Sequence, residues 1–496
     1  MIPPMDTTSP AQTDTRTPES APRLGPEALG AEDLRIFGEI EAWRKGDSDA
    51  QDERMRATYH VDKELAFRDS YQPPHPTILI LHASVGSGHR SAAIAIAQDL
   101  CDLRDRQLPA FPDGSPLDPA TRVVVADILA WGDHVFDGNK TATSFTGSTR
   151  PLYDLTWRYT FTGRALWGQG TFLNYVMWRK FTRYIGHIKP LAVIATHIMG
   201  ANMAAGARTI CKQHYPLVCV PTDYETEGLW PHKAADVFCL GNESMAETLR
   251  ARHIADNRIA ITGIPTRIDF RRSYDTAQVR ERFGLPADKK IVLALAGATL
   301  PQPYVIFRQT LESVIPAFAG HPDLHLVMVC GKDADYAAHV RQTCAEYGLD
   351  NVTVLDYVNG MAALMAASDV IVTKSGGLTV TECLVSRTPM ILVGRAYGQE
   401  KVNVNMLTNA GAAIHVTTAR ELVSQIDLID QHPERLSSMV VNANLLRRPN
   451  AAHDIARCTL ALTKLPADDV RHTVVTKKLA WTLFNFYWGD KPAHIR

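Results

Sequence analysis

The chain has 496 residues, 45% hydrophobic and 21% charged, which is the balance of a globular protein too long for one ordinary domain. A formal net charge of -1 excludes a global pull toward nucleic acid or an anionic membrane, so any such contact must be local. Eight cysteines, spread from Cys101 to Cys458 without CxxC or Cys/His ligand spacing, read as reduced core thiols of a cytosolic protein with no metal site.

In chain order, residues 1–30 are rich in Pro, Thr, Ser and Ala and are expected to be a disordered tail. Residues 31–75 form an extension, partly helical, since Ile36, Phe37, Ile40 and Trp43 recur at helical spacing. No apolar run approaches the roughly 20 residues of a membrane span, and the start lacks the order of a signal peptide. A first domain over 76–267 opens with the strand Thr77–His82, a turn from Ala83 to Arg90 and an Ala/Ile-rich helix from Ser91 to Leu100. Such a unit starts a doubly wound sheet, although the turn lacks the third glycine and ribose acid of a dinucleotide fingerprint. Strands over Arg122–Ile128, Leu191–Thr196, Leu217–Thr222, Val237–Leu240 and Ile259–Thr262 continue the βα alternation. Asp223 follows one of them at the carboxyl edge, where it serves as an N-cap or as a site carboxylate.

Between Arg150 and Lys189, rings such as Trp157, Trp167 and Trp178 alternate with bases such as Arg179 and Lys180. The mixture suits an anionic headgroup region, single-stranded nucleic acid, or a core whose cations are simply solvated. Residues 268–288 read as a linker into a second domain over 289–450, with strands at Ile291–Gly297, Leu324–Cys330, Val352–Leu355, Asp369–Val372, Pro389–Val393 and Ala413–Val416. Helices over 451–496 follow, with an aromatic end from Lys477 to Trp488 that packs under the first domain or anchors at a membrane interface.

The most informative stretch runs from Val372 to Glu382. A buried strand meets Gly376, Gly377 and Thr379 just where a helix begins, so free N–H groups and the helix dipole make a phosphate cradle. Glu382, one turn in, is placed to accept two hydrogen bonds from a ribose diol. After the next strand, Gln399, Glu400 and Asn403 offer the polar groups that sugar hydroxyls need.

GGLTVTE and GQEKVN at this spacing resemble the donor-site signature of glycosyltransferase family 28. The likeness is to the plant and bacterial diacylglycerol glycosyltransferases: monogalactosyldiacylglycerol synthases and processive diacylglycerol glucosyltransferases. It spans roughly residues 77–430 and implies an α/β GT-B architecture, two Rossmann-like domains facing a cleft, the first for the acceptor and the second for the nucleotide sugar. It implies an inverting hexosyltransferase that moves glucose or galactose from a UDP-sugar to diacylglycerol or a glycosyl-diacylglycerol. Such an enzyme needs no metal or other cofactor and no nucleic acid, and it works on the anionic inner face of the cell membrane from the cytoplasm. His89, after Gly88 in the GxGH turn, falls at the family's active-site histidine, and Asp223 and Arg267 fall in its TD and GIPxR segments. Trp157, Trp167, Trp178, Arg179 and Lys180 then belong to the acceptor and membrane side. Ser84 replaces an Asp of the plant enzymes, Glu227 a His of the bacterial ones, and the loop after Gly297, with Thr299, has fewer glycines than in relatives. The rival readings are transfer to a polyprenyl-diphosphate lipid, an epimerase of the same double-domain fold and a catalytically inactive UDP-sugar sensor.

Overall fold

The computed structural model describes residues 76–84, 87–131, 178–226, 230–232, 234–297, 303–396, 399–432 and 434–465. Expectations for residues 1–75, Trp157, Trp167, Glu227, Gly398, Thr299 and the aromatic end after residue 465 lie outside the described residues.

The first sheet is built from β1 (Thr77–His82), β2 (Arg122–Asp127), β3 (Ala192–Ala195), β4 (Leu217–Cys219), β5 (Val237–Leu240) and β6 (Ile259–Ile261). Its described helices are α1 (Ser87–Asp105), α2 (Arg179–Ile188), α3 (Ile198–Cys211) and α4 (Glu243–Ala251). A 3-10 turn at Ile268–Arg271 and α5 (Thr276–Phe283) lead to β7 (Lys290–Leu295), α6 (Pro303–Glu312), β8 (Leu324–Val329), α7 (Ala334–Glu346), β9 (Val352–Leu355) and α8 (Met361–Ala366). Then come β10 (Val370–Thr373), α9 (Gly377–Ser386), β11 (Met390–Val393), α10 (Gln399–Asn409), β12 (Ala413–Val416), α11 (Ala419–Gln431), α12 (Glu434–Leu446) and α13 (Ala451–Thr463).

The sheet orders are β2-β1-β3-β4-β5-β6 and β12-β11-β10-β7-β8-β9, and every pairing is parallel. This is the expected doubly wound pair, the GT-B architecture. All six residues of β1 are buried because helices cover both sheet faces, which is why the strand reads as a continuous apolar run. Strand order reverses at β1/β3 in the first sheet and at β7/β10 in the second, the places where open α/β sheets bind ligands at their carboxyl ends.

One face of the first sheet, with Ile78, Ile80, Val123 and Val125, packs on α1 and on Ile455, Leu460 and Leu462 of α13. The other face, with Leu79 and Leu81, joins a cluster that continues through Tyr224, Ile264 and Phe270 to Val380, Cys383 and Leu384 of the second domain. The two domains therefore share one contiguous core. Polar ties reinforce the frame. Arg208 at the end of α3 donates to Tyr215 O at 2.9 Å, to Ala234 O and to Asp236 at 2.7 Å, while the same Asp236 oxygen accepts the Leu217 N–H at 2.7 Å. Both members of this pair are buried, so neither can lose its partner cheaply. Arg271 donates to both oxygens of Asp99 in α1, at 2.6 and 2.7 Å, and so fastens the start of the 268–288 segment to the first domain.

Candidate active site

At the first switch point, the chain leaves β1 and turns into α1, so that His89 lies in the first turn of that helix. Its Nδ1 is 2.9 Å from Thr196 O, which only accepts, so the ring proton sits on Nδ1. Thr222 Oγ1, 2.8 Å away, shares that proton, and Thr196 Oγ1 returns a bond to His89 O at 2.9 Å. The lone pair is thereby assigned to Nε2. Burial pushes the His89 pKa down, against smaller upward pulls from the Asp223 charge and the Thr196 carbonyl, so the ring is neutral at pH 7. A neutral imidazole with a fixed Nδ1 proton is a general base in waiting.

Two further histidines surround it, and sequence reasoning passed over both. His197 caps α3 by accepting the Met199 N–H at 3.1 Å and stands edge-on to His89, ring centroids 4.5 Å apart. Burial, with the neighbouring His89 and His82, sets its pKa well down. His82 ends β1, and neither of its ring nitrogens has a hydrogen-bond partner among the described residues. Burial lowers its pKa to about 4, despite the pull of Asp127. The only trace of these residues in the sequence is a histidine at the carboxyl end of two adjacent apolar strands.

At the second switch point, β10 ends and α9 begins at Gly377 with Gly376 as an N-cap that offers no side chain. A Cβ at Gly88 would lie 3.6 Å from Leu378 Cβ, so the amino ends of α1 and α9 meet. Gly377 is more constrained: a Cβ there would come within 2.1 Å of Thr222 O, so only glycine permits the contact. Next along α9, the amides of Leu378 and Thr379 have no hydrogen-bond acceptor among the described residues. These are the N–H groups that a helix start offers to an anion. Glu382 follows on the same helix. Burial pushes its pKa up to about 7, and the nearby Arg267 charge restrains that rise. Arg267 lies over the Phe270 ring at 6.0 Å, and its buried Nε has no hydrogen-bond partner among the described residues.

Several residues expected to meet the ligand also have partners within the protein. Asn403 is fully buried: it donates to Asp223 at 2.9 Å and Ser375 O at 2.8 Å and accepts from Tyr224 N at 2.9 Å. It therefore builds the seam and does not present its amide to a sugar. Glu400 pairs with Lys374 at 2.9 Å, and Gln399 donates to Asp223 at 3.2 Å. Trp178, read as part of an acceptor or membrane surface, is fully buried, with its indole N–H on Ile128 O at 2.8 Å. The correction has a simple cause: Trp178 caps the first-domain core beside Trp131 and Phe181. Arg179 and Lys180, next in sequence, are exposed. Gly297 packs its backbone on Gly331, where an added Cβ would be 3.0 Å from that residue's Cα. Among the described residues, no group of three His, Cys, Asp or Glu is placed to hold a metal ion.

Residues 301–455 match the model of the glycosyltransferase family 28 C-terminal domain, and residues 119–266 match that of monogalactosyldiacylglycerol (MGDG) synthase. Processive diacylglycerol beta-glucosyltransferases are similar in sequence: that of Bacillus licheniformis is 29% identical over 240 residues, 48% of this chain and 61% of the relative. That of Staphylococcus saprophyticus is 26% identical over 247 residues, 50% of this chain and 61% of the relative. The chain thus spans less than two thirds of the length of these relatives. In three dimensions, the UDP-GlcNAc 2-epimerase from Neisseria meningitidis bound to UDP-GlcNAc is similar at TM-score 0.50 and 14% identity, covering 78% of this chain and 99% of that one. The S. aureus MnaA-UDP co-structure is similar at TM-score 0.50 and 13% identity, covering 79% and 99%. At such identities the likeness shows the fold alone. The two models match separate parts of the chain, one in each domain, and it is glycosyltransferase family 28 and the MGDG synthases that this chain resembles.

Proposed function

We propose that this protein is an inverting glycosyltransferase that moves a hexose from a UDP-sugar to the hydroxyl of diacylglycerol or a glycosyl-diacylglycerol. The observation that carries the reading is His89: a neutral ring, its proton fixed on Nδ1 by Thr196 O at 2.9 Å, lies at the meeting point of two helix amino ends. In this reading the diphosphate rests on the α9 amides, where charge that develops on the leaving group meets preorganised donors. Arg267 adds a cation. Glu382 accepts from the ribose diol once it is ionised, and Gln399 lies beside the sugar. The acceptor hydroxyl approaches the anomeric carbon from the first-domain side, gives its proton to His89 Nε2 and attacks opposite the departing diphosphate, which inverts the configuration. Closure of the seam excludes water that would hydrolyse the donor.

The names of the relatives support diacylglycerol as acceptor and glucose as the first sugar to test. Among the described residues, no helix is long and apolar enough to cross a membrane. We place the reaction at the membrane surface, on its cytoplasmic face, because the acceptor in the relatives' names is a membrane lipid. Arg179 and Lys180 support this, because two exposed cations in the first turn of α2 oppose the helix dipole and suit an external anion better than the fold itself.

The test is incubation of purified protein with diacylglycerol vesicles and radiolabelled UDP-glucose or UDP-galactose, then separation of the lipids. Labelled glycolipid from one donor, lost in Glu382→Ala, is expected. No labelled lipid from either donor refutes the proposal.

A further inference from the structure

Asp223 was a candidate for catalysis, yet its surroundings describe a different task. Its Oδ1 accepts the Gly377 N–H at 3.1 Å and the Asn403 amide at 2.9 Å, and its Oδ2 accepts the Gln399 amide at 3.2 Å. All three donors belong to the second domain, at or near the starts of α9 and α10. The residues on either side complete the contact. Tyr224 donates its N–H to Asn403 Oδ1 at 2.9 Å, and its hydroxyl meets Thr381 Oγ1 of α9 at 3.0 Å. Thr222 presses its carbonyl on Gly377 while its hydroxyl meets His89 Nδ1 at 2.8 Å. Three consecutive residues thus tie the base to the donor helix.

We infer that Asp223 is an interdomain latch and positioning residue: its carboxylate occupies the first N–H of the α9 phosphate cradle, and a donor diphosphate must displace it to bind fully. This rests on the proposed donor site. The physical conflict is direct. A backbone N–H donates to one acceptor at full strength, and two anions at one helix start repel each other. Displacement of Asp223 moves Thr222 with it, so arrival of the donor changes the contact that orients His89. Asp223 then acts on the reaction through His89 and the seam without touching the reacting atoms.

The experiment uses the full chain as wild type, Asp223→Ala and the isosteric Asp223→Asn, with two readouts. Calorimetric titration with UDP is expected to show Asp223→Ala binding on the order of tenfold tighter than wild type, with Asp223→Asn between. Hydrogen exchange without nucleotide is expected to speed up at least tenfold over residues 222–226 and 374–381, while β1 and β8 keep their protection. Tighter UDP binding with lower kcat and lower donor KM supports the latch. UDP affinity equal to or weaker than wild type, with loss confined to kcat, overturns it in favour of a catalytic carboxylate. Unchanged exchange across the seam in both variants overturns it as well. Faster exchange together with no UDP binding by any of the three proteins supports the latch as an interdomain tie and refutes the donor-site reading on which the displacement step depends. Should Asp223→Ala fail to fold, the same comparisons on Asp223→Asn decide.

Discussion

Replacing Glu382 with Gln is expected to stabilise the protein while it weakens nucleotide binding. An ordinary glutamate titrates near 4.5, whereas burial lifts Glu382 to about 7 after the opposing pull of Arg267. The folded protein therefore holds this proton more tightly than the unfolded chain between those values. Stability from this group is complete below pH 4.5 and is lost as pH rises to about 7, beyond which ionised Glu382 costs about 3 kcal/mol. Glutamine is neutral at every pH and avoids that cost. For a domain of this size, a gain of about 3 kcal/mol raises the melting midpoint by about 6–12 °C. Scanning calorimetry of wild type and Glu382→Gln at pH 5 and pH 8 reads the difference, expected at pH 8 and nearly absent at pH 5. In the same variant, UDP affinity is expected to fall at least tenfold, the stability–function exchange typical of a strained site. A midpoint difference independent of pH would refute the claim that the carboxylate is desolvated.

Four more outcomes can be measured. UDP affinity of the wild type is expected to fall about tenfold per pH unit below 7 as Glu382 takes up its proton, and a flat titration between pH 5.5 and 8 argues against its ribose role. His89→Gln is expected to lower kcat at least 100-fold with UDP binding unchanged, and wild-type kcat is expected to stay level above pH 7 and drop only below about 6.5, since burial depresses this pKa; a kcat that climbs steeply above pH 7 counts against His89 as the base. Gly377→Ala forces a Cβ to 2.1 Å from Thr222 O and so is expected to lower transfer at least tenfold; a wild-type rate would contradict the seam geometry. Asp236→Asn breaks a buried ion pair and is expected to destabilise the first domain by about 3–5 kcal/mol in denaturant unfolding.

Much of the fold was legible because parallel strands covered on both faces are rich in apolar residues, and each of the twelve described strands overlaps such a stretch, although His325, Thr353 and His415 interrupt β8, β9 and β12 and the edge strands β6 and β9 are only half-buried. The error was in where some strands stop. Leu217–Thr222 reads as one strand, but pairing ends at Cys219, and the apolar pattern continues through Val220 while the chain is already leaving the sheet. The same overrun follows β7. These overruns matter because Thr222 and Asp223 do their work off the sheet. The strand-to-helix junction at Gly376–Gly377 was readable locally, since strand, glycines and helix are contiguous. Asn403 and Trp178 depart from expectation for a common reason: polarity in the one and an aromatic ring beside cations in the other suggest exposure, yet both are fully buried. Their partners, Asp223 and Ile128, are 180 and 50 positions away, beyond any local pattern. The histidine cluster was invisible on the same ground, because His82, His89 and His197 converge only when β3 is placed beside β1.

One consequence follows from α13. Its Ile455, Leu460 and Leu462 complete the hydrophobic face that Ile78 and Ile80 of the opening strand begin, each buried aliphatic contributing about 1.5–3 kcal/mol. During synthesis, then, the first sheet emerges from the ribosome with this face covered by α1 alone, and α13 joins it only after nearly 200 more residues have been translated. The nascent first half must wait for, or be shielded until, the arrival of a helix encoded after the whole second domain. A stalled product that stops short of residue 451 would expose the surface of α1 and β3 that α13 covers, Ile194 within it, and be prone to aggregate.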